Sequence, residues 1–183
     1  MDAPWNLSLP SALTVGGEER TIRTDYRVAL DCFLALTDTE LDDYNKAMEV
    51  LEMLYIDPIP PELWQDAIDK ALWYLEGGVE RQQRKDPQLV AWEQDFPYIA
   101  SPISKVVGQD IRGMEYLHWW SFLSAYMAIG DCLFAQIVSI RDKRARGKKL
   151  SKEDREFYRR NRELIEIKKK LTETEEEILK EWM

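Results

Sequence analysis

His118 is the one imidazole in a chain of 183 residues, so a relay in which histidine takes the proton of a serine nucleophile would have to be built on it. It stands in Leu117-His118-Trp119-Trp120, and no Gly-x-Ser-x-Gly elbow accompanies it. A lone histidine on a helix rich in aromatics reads as a satisfied core or interface residue, not as a general base. Cys32 and Cys132 are the only cysteines, each among apolar neighbours. Two thiols and one imidazole lack the spacing of a zinc site. Free buried thiols are expected, with a Cys32–Cys132 disulfide as the alternative in an oxidising compartment. The glycine pairs Gly16-Gly17 and Gly77-Gly78 stand alone, without the strand-to-helix setting of a phosphate or dinucleotide loop. Glu93, Asp95, Asp110, Glu115 and Asp131 lie in the apolar middle of the chain and could pair for acid–base chemistry. Asp110 beside Arg112, and Asp131 ahead of a basic stretch, fit ion pairs or helix-terminal charges better. The expectation is no catalytic residue, no metal and no cofactor.

The elements that position these residues follow from periodicity. Leu13-Thr14-Val15, Gly16-Gly17 and Arg20-Thr21-Ile22-Arg23 predict a β-hairpin within about 11–24. From Thr24, placed to cap a helix, Tyr26, Ala29, Leu30 and Phe33 recur at helical spacing. A second helix is predicted over 40–55, with Leu41, Tyr44, Met48, Leu51 and Tyr55 on its inner stripe. Pro61 suits the first turn of a third, which Gly77-Gly78 closes. Pro97 and Pro102 predict two short helical pieces between Trp92 and Gly113. A long central helix is expected over 114–143. Ser151 and Asp154 form a capping-box pattern opening a last helix of about thirty residues, with Phe157, Leu164, Leu171 and Ile178 every seventh position. The fold class is mainly α: a helical core domain over 1–146 around one long central helix, with an N-terminal hairpin, then a C-terminal amphipathic helix over 151–183.

Charge is unevenly placed. The chain carries −9 overall, residues 141–170 carry fourteen Lys and Arg against six Asp and Glu, and residues 171–183 carry one against five. Three readings stay open: a solvated helix face folding back on an acidic body, a docking helix for an acidic partner segment, and a nucleic-acid contact through 141–170. The apolar run 116–140 is about as long as a bilayer needs, but His118, Asp131 and Gln136 interrupt it. With no signal-like N-terminus either, a cytoplasmic protein that spans no membrane is expected.

Three blocks carry a family resemblance: Trp92-Glu93-Gln94-Asp95-Phe96-x-x-Ile99, Asp110-Ile111-Arg112, and Leu117-His118-Trp119-Trp120-x-Phe122 running on to Ile137-Val138-x-Ile140-Arg141. With the hairpin leading into Thr24-Asp25-Tyr26-Arg27, and Arg144-x-Arg146-Gly147-Lys148-Lys149-Leu150 further on, the chain resembles the bacteriophage gene-product-fifteen family over about residues 15–164. The resemblance implies a protein of the tail-morphogenesis module that acts as a tail-assembly-chaperone-like binder of tape-measure and tail-tube proteins. It would work in the host bacterial cytoplasm, stay out of the mature virion and bring no catalytic motif; the heptad-spaced stripe leaves open closing on the body, pairing with a second copy as a homo-oligomer, or docking a client. The rival expectation is an interaction protein that engages a host factor such as a defence system, as inhibitor or trigger. Partner contacts or structural roles are expected of Trp92, Asp95, Asp110, Arg112, His118, Trp119, Trp120, Arg141, Phe157, Leu164, Leu171 and Ile178.

Overall fold

Ala12–Val15 (β1) and Glu18–Thr21 (β2) pair antiparallel around Gly16-Gly17, whose φ angles of 58° and 84° are those that a two-residue hairpin turn demands. The computed structural model describes residues 9–79 and 87–168. They fall into two units: Met1–Gln82 with Met114–Ser124, and Gln83–Gly113 with Ala125–Met183. This division differs from the one suggested by sequence at residue 146. Apart from the hairpin the architecture is helical, as the periodicity indicates.

In the first unit the hairpin leads into α1 (Tyr26–Thr37) and α2 (Asp43–Leu54). A 3-10 turn at Pro61–Leu63 then runs straight into α3 (Trp64–Leu75). Asp25, not Thr24, caps α1, its carboxylate accepting from the Arg27 amide at 2.9 Å. Asp42 caps α2, which therefore starts later than its apolar spacing suggested. Its buried stripe is Val50, Leu51 and Leu54, whereas Tyr44 is 59% exposed, so the first turn of the expected stripe faces solvent. α2 has no basic residue in its last turn. Arg23 substitutes from outside, donating to the carbonyls of Glu52, Met53 and Tyr55, where a cation suits the negative end of a helix. α1 packs on α2, α2 on α3, and α3 on β1. The core gathers Tyr26, Cys32, Tyr74, Trp119 and Phe122, all at most 2% exposed, with the Tyr26 and Phe122 rings stacked at 4.8 Å. Both cysteines are free, and burial, assisted by Asp31, pushes the Cys32 thiol up to about 12.

The second unit holds α4 (Trp92–Val107), a 3-10 turn at Ile111–Gly113, α6 (Leu133–Ala145), α7 (Lys152–Arg160) and α8 (Arg162–Ile165). α4 is one continuous helix of 16 residues despite Pro97 and Pro102, against the expectation of two pieces. Each proline removes an amide from the ladder. The prolines lie off the buried stripe Asp95, Ile99 and Ile103, and the residues one helical turn before them, Glu93 and Tyr98, are not buried.

The expected long central helix is two helices, α5 (Trp119–Met127) and α6. Residues 114–118 are not helical. α5 tightens at its end, where Ala128 and Ile129 donate to the carbonyls of Ala125 and Tyr126, and Gly130-Asp131 separates it from α6. The Cys132 thiol caps α6 by accepting from the Ala135 amide at 3.4 Å. Among the described residues no helix is long and apolar enough to cross a membrane. The capping box at Ser151 and Asp154 forms in both directions. The helix it opens stops at Arg160, because Asn161 takes φ −125°, ψ 32°, outside helical geometry, and α8 adds only one turn. Leu171 and Ile178, with the remainder of the predicted stripe, lie outside the described residues. Phe157 and Leu164 lie inside them and pack with Leu150 and Tyr158 on Ile137, Ile140 and Ile165.

Candidate functional site

Most of the residues that carried the resemblance gather at two places, one in each unit. In the first unit Leu117-His118-Trp119 runs antiparallel to Thr24-Asp25-Tyr26. The Tyr26 amide donates to the Leu117 carbonyl at 2.9 Å, and the Trp119 amide to the Thr24 carbonyl at 2.7 Å. Asp25 serves both strands of this bridge, accepting from the Arg27 and Leu117 amides and pairing with the Arg27 side chain at 3.1 Å.

His118 is 6% exposed. Its Nδ1 accepts from the Trp120 amide at 3.0 Å, so Nε2 carries the proton and donates to the Pro10 carbonyl at 3.0 Å. Both ring nitrogens are thereby committed to backbone groups. The indoles are tied down in the same way, Trp119 donating to the Leu75 carbonyl and Trp120 to the Tyr74 carbonyl. Trp120 also meets Trp73 edge to face at 5.6 Å across Gly78, where an added Cβ would stand 2.7 Å from the Trp120 ring.

In the second unit Asp95 from α4 and Arg141 from α6, 46 residues apart, form a two-pronged ion pair at 2.6 and 3.0 Å, with their side chains 1% and 5% exposed. The rest of the guanidinium is spent on backbone: Nε donates to the Ile165 carbonyl, Nη1 also to Leu89 and Nη2 also to Leu164. All five N–H bonds of Arg141 are used, and Asp95 further accepts from the Ala91 amide.

Gln94, beside Asp95 in sequence, extends the grip. Its amide nitrogen donates to the carbonyls of Glu163, Leu164 and Glu166, and its oxygen accepts from the Lys168 amide. Ile137 and Ile140, which precede Arg141 in its motif, pack beneath on Ile165. Gln94 stands inside the Trp-Glu-Gln-Asp-Phe block, and its role is not evident from residue type alone. A polar residue next to the motif aspartate is the one signal that could have found it.

Other expected site residues are peripheral to these two places. Trp92 is half-buried against Tyr126, their ring centres 5.4 Å apart. Asp110 and Arg112 are exposed and pair with each other at 2.7 Å, and the arginine's hydrogen bonds hold the Asp110 carboxyl down to about 2. Asp131 is exposed in the turn before α6, and Glu115 is exposed as well. Of the five mid-chain carboxylates only Asp95 is buried, and no two are brought to face a common point by any described hydrogen bond or ion pair. Among the described residues no group of His, Cys, Asp and Glu could hold a metal ion.

Part of the basic stretch that begins in α6 is paired with carboxylates of its own unit, while Lys149, Lys152, Arg155, Arg159 and Arg160 are exposed. Lys143 pairs with Asp154, Arg144 and Arg162 with Glu166, and Arg146 and Lys148 with Asp142. Each partner responds: hydrogen bonds from Arg146, Lys143 and Tyr158 hold Asp142, Asp154 and Glu166 respectively below the usual carboxylate range.

The family model described as "Bacteriophage Gp15 protein" matches residues 6–167. No curated protein and no solved structure matches this chain.

Proposed function

From the premise that this chain belongs to the Bacteriophage Gp15 protein family, we propose that it is a non-enzymatic binding protein of phage tail morphogenesis, chaperone-like toward tape-measure and tail-tube proteins. One observation supports a binding role over a chemical one: the groups best suited to chemistry are occupied in holding backbone. His118 spends both nitrogens on Trp120 and Pro10, and Arg141 and Asp95 spend theirs on each other and on main-chain atoms. What the surface offers instead is apolar side chains that remain outside the core, among them Tyr44, Ile56, Val79, Met127 and Leu133.

The net charge of −9 and the carboxylates interleaved in 141–166, several of them paired with its cations, disfavour a phosphate-binding role. On this reading the signature residues preserve the scaffold, and the contacts with clients lie elsewhere on its surface. The protein would act in the host cytoplasm while tails are being built and be absent from the finished particle. Co-expression with a phage tape-measure protein tests the proposal. A co-purifying complex and a rise in the soluble fraction of the tape-measure protein are expected. Neither appearing would end it, and retention of a host protein at fixed stoichiometry would favour the host-directed role instead.

A further inference from the structure

The end of α2 and the chain leading to α3 enclose an open cleft of about 400 Å³ in the first unit. Met48, Leu51, Ile56, Ile59 and Trp64 contribute its apolar lining, and Glu52 and Asp57 join them. Its walls are fixed in place. Ile22 and Tyr55 form an antiparallel bridge, with the Arg23 amide donating to the Leu54 carbonyl and the Ile56 amide to the Thr21 carbonyl. The polar ends of the aromatic residues are turned away into structure: Trp64 Nε1 donates to the Ile59 carbonyl at 2.9 Å, and the Tyr55 hydroxyl donates to the Ala67 carbonyl at 2.8 Å. The cleft therefore presents hydrocarbon, while Ile56 at 51% and Tyr44 at 59% exposure leave apolar surface uncovered beside it.

Around this surface the charge is predominantly negative, with Arg23 at the end of α2 a neighbouring cation. Residues 38–69 contain ten Asp and Glu and a single Lys, a net −9 that equals the charge of the whole chain. Asp42, Asp43, Glu49, Glu52, Asp57 and Glu62 are all exposed. The ion pairs of this unit among the described residues are Arg20–Glu18 and Arg27–Asp25, and neither neutralises any of the six. Such a face repels nucleic acid and anionic lipid, and it attracts a cationic partner over about 10 Å at moderate salt.

We propose that this cleft is a docking site for a Lys- and Arg-rich segment of another protein that inserts one large aliphatic or aromatic side chain between Ile56 and Trp64, its cations lying over Glu52, Asp57 and their acidic neighbours. Apolar anchoring supplies affinity, and the acidic surround supplies encounter rate and selectivity. The inference rests on the binding role proposed above and gives it a location and a partner chemistry.

Fluorescence anisotropy with the full-length protein tests it, using a labelled amphipathic Lys-Leu peptide with one central Trp and a Glu-Leu counterpart as probes. The cationic peptide should bind, and more weakly as NaCl rises. Ile56→Ser should weaken it about tenfold, the loss of one buried aliphatic anchor. Glu52→Lys with Asp57→Lys should abolish binding, and Leu133→Ser, on an apolar residue of the other unit, should change nothing. Circular dichroism of each variant guards against misfolding, for which Ile56 at half exposure is a safe position. Equal binding of the anionic peptide, unchanged affinity in Ile56→Ser, or loss of binding accompanied by Ile56-dependent self-association in light scattering would each overturn the inference. A tape-measure complex that forms with wild type and persists in Ile56→Ser would sink the cleft while leaving the broader function standing.

Discussion

At the scale of single residues, the Asp95–Arg141 pair sets the sharpest expectation. Removing one member of a buried pair leaves a charge without compensation. Arg141→Met would also strand the Leu89, Leu164 and Ile165 carbonyls. A loss of about 3–5 kcal/mol in urea unfolding is expected, whereas Asp95→Leu combined with Arg141→Met should cost less than Arg141→Met alone, since hydrophobic replacement of a whole buried pair is often tolerated. A single variant within 1 kcal/mol of wild type would refute the assigned role. The sequence marked both residues as parts of motifs, yet their pairing across 46 positions leaves no local trace, and the exposed Asp110–Arg112 pair, two positions apart, was the ion pair that could be read directly. His118 was legible as a packed residue from its aromatic neighbours. Its partners were not, because both are backbone groups brought in by the hairpin lead and by α5.

At the scale of elements, what is written in four adjacent residues was readable, and what depends on tertiary support was not. The capping box at Ser151 and the glycine turn at 16–17 are local geometries, and both form where the sequence put them. Pro97 and Pro102 signalled a break in α4 because local rules penalise them, but burial of Ile99, Ala100 and Ile103, together with the Asp95 anchor, holds the helix together. That penalty remains in the folded protein. Pro97→Ala returns an amide to the helical ladder at an exposed position, and a gain of about 2 kcal/mol is expected: roughly 3 from the repaired helix, less up to about 1 for the looser unfolded chain. Thermal or urea unfolding that shows no gain would mean α4 has already adapted to its prolines. The converse error occurred at 128–132, where continuous hydrophobicity suggested one rod. There Gly130-Asp131 admits a turn, and the Cys132 cap restarts the helix.

Over the molecule as a whole, electrostatics is sorted by region, with −9 concentrated in residues 38–69 and several cations of 141–166 paired inside their own unit. The charge asymmetry was plain from sequence, but which carboxylates would meet those cations was not, since the pairs bring α6, α7 and α8 together. Asp142, Asp154 and Glu166 sit below their ordinary carboxyl range in the folded state. Groups with depressed folded values contribute stability that is present above their unfolded values and lost as pH falls through the folded ones. Amide protection in 152–165 should thus hold from pH 7 to 5 and decline as pH drops below about 4, the unfolded range of Asp and Glu. Hydrogen-exchange protection factors that stay level down to pH 3 would show that apolar packing on Ile137 and Ile140 alone keeps α7 and α8 in place.

The manner in which Arg141 and Gln94 hold the stretch 163–168 has an evolutionary corollary. Both grasp peptide oxygens and amides, the part of a polypeptide that every amino acid except proline supplies alike. Outward positions such as Arg162 and Glu163 can therefore be rewritten for new tasks while the tether persists, so long as Ile165 keeps its inward seat. Drift in this strip should leave the architecture intact, whereas a change at Asp95 or Arg141 should not.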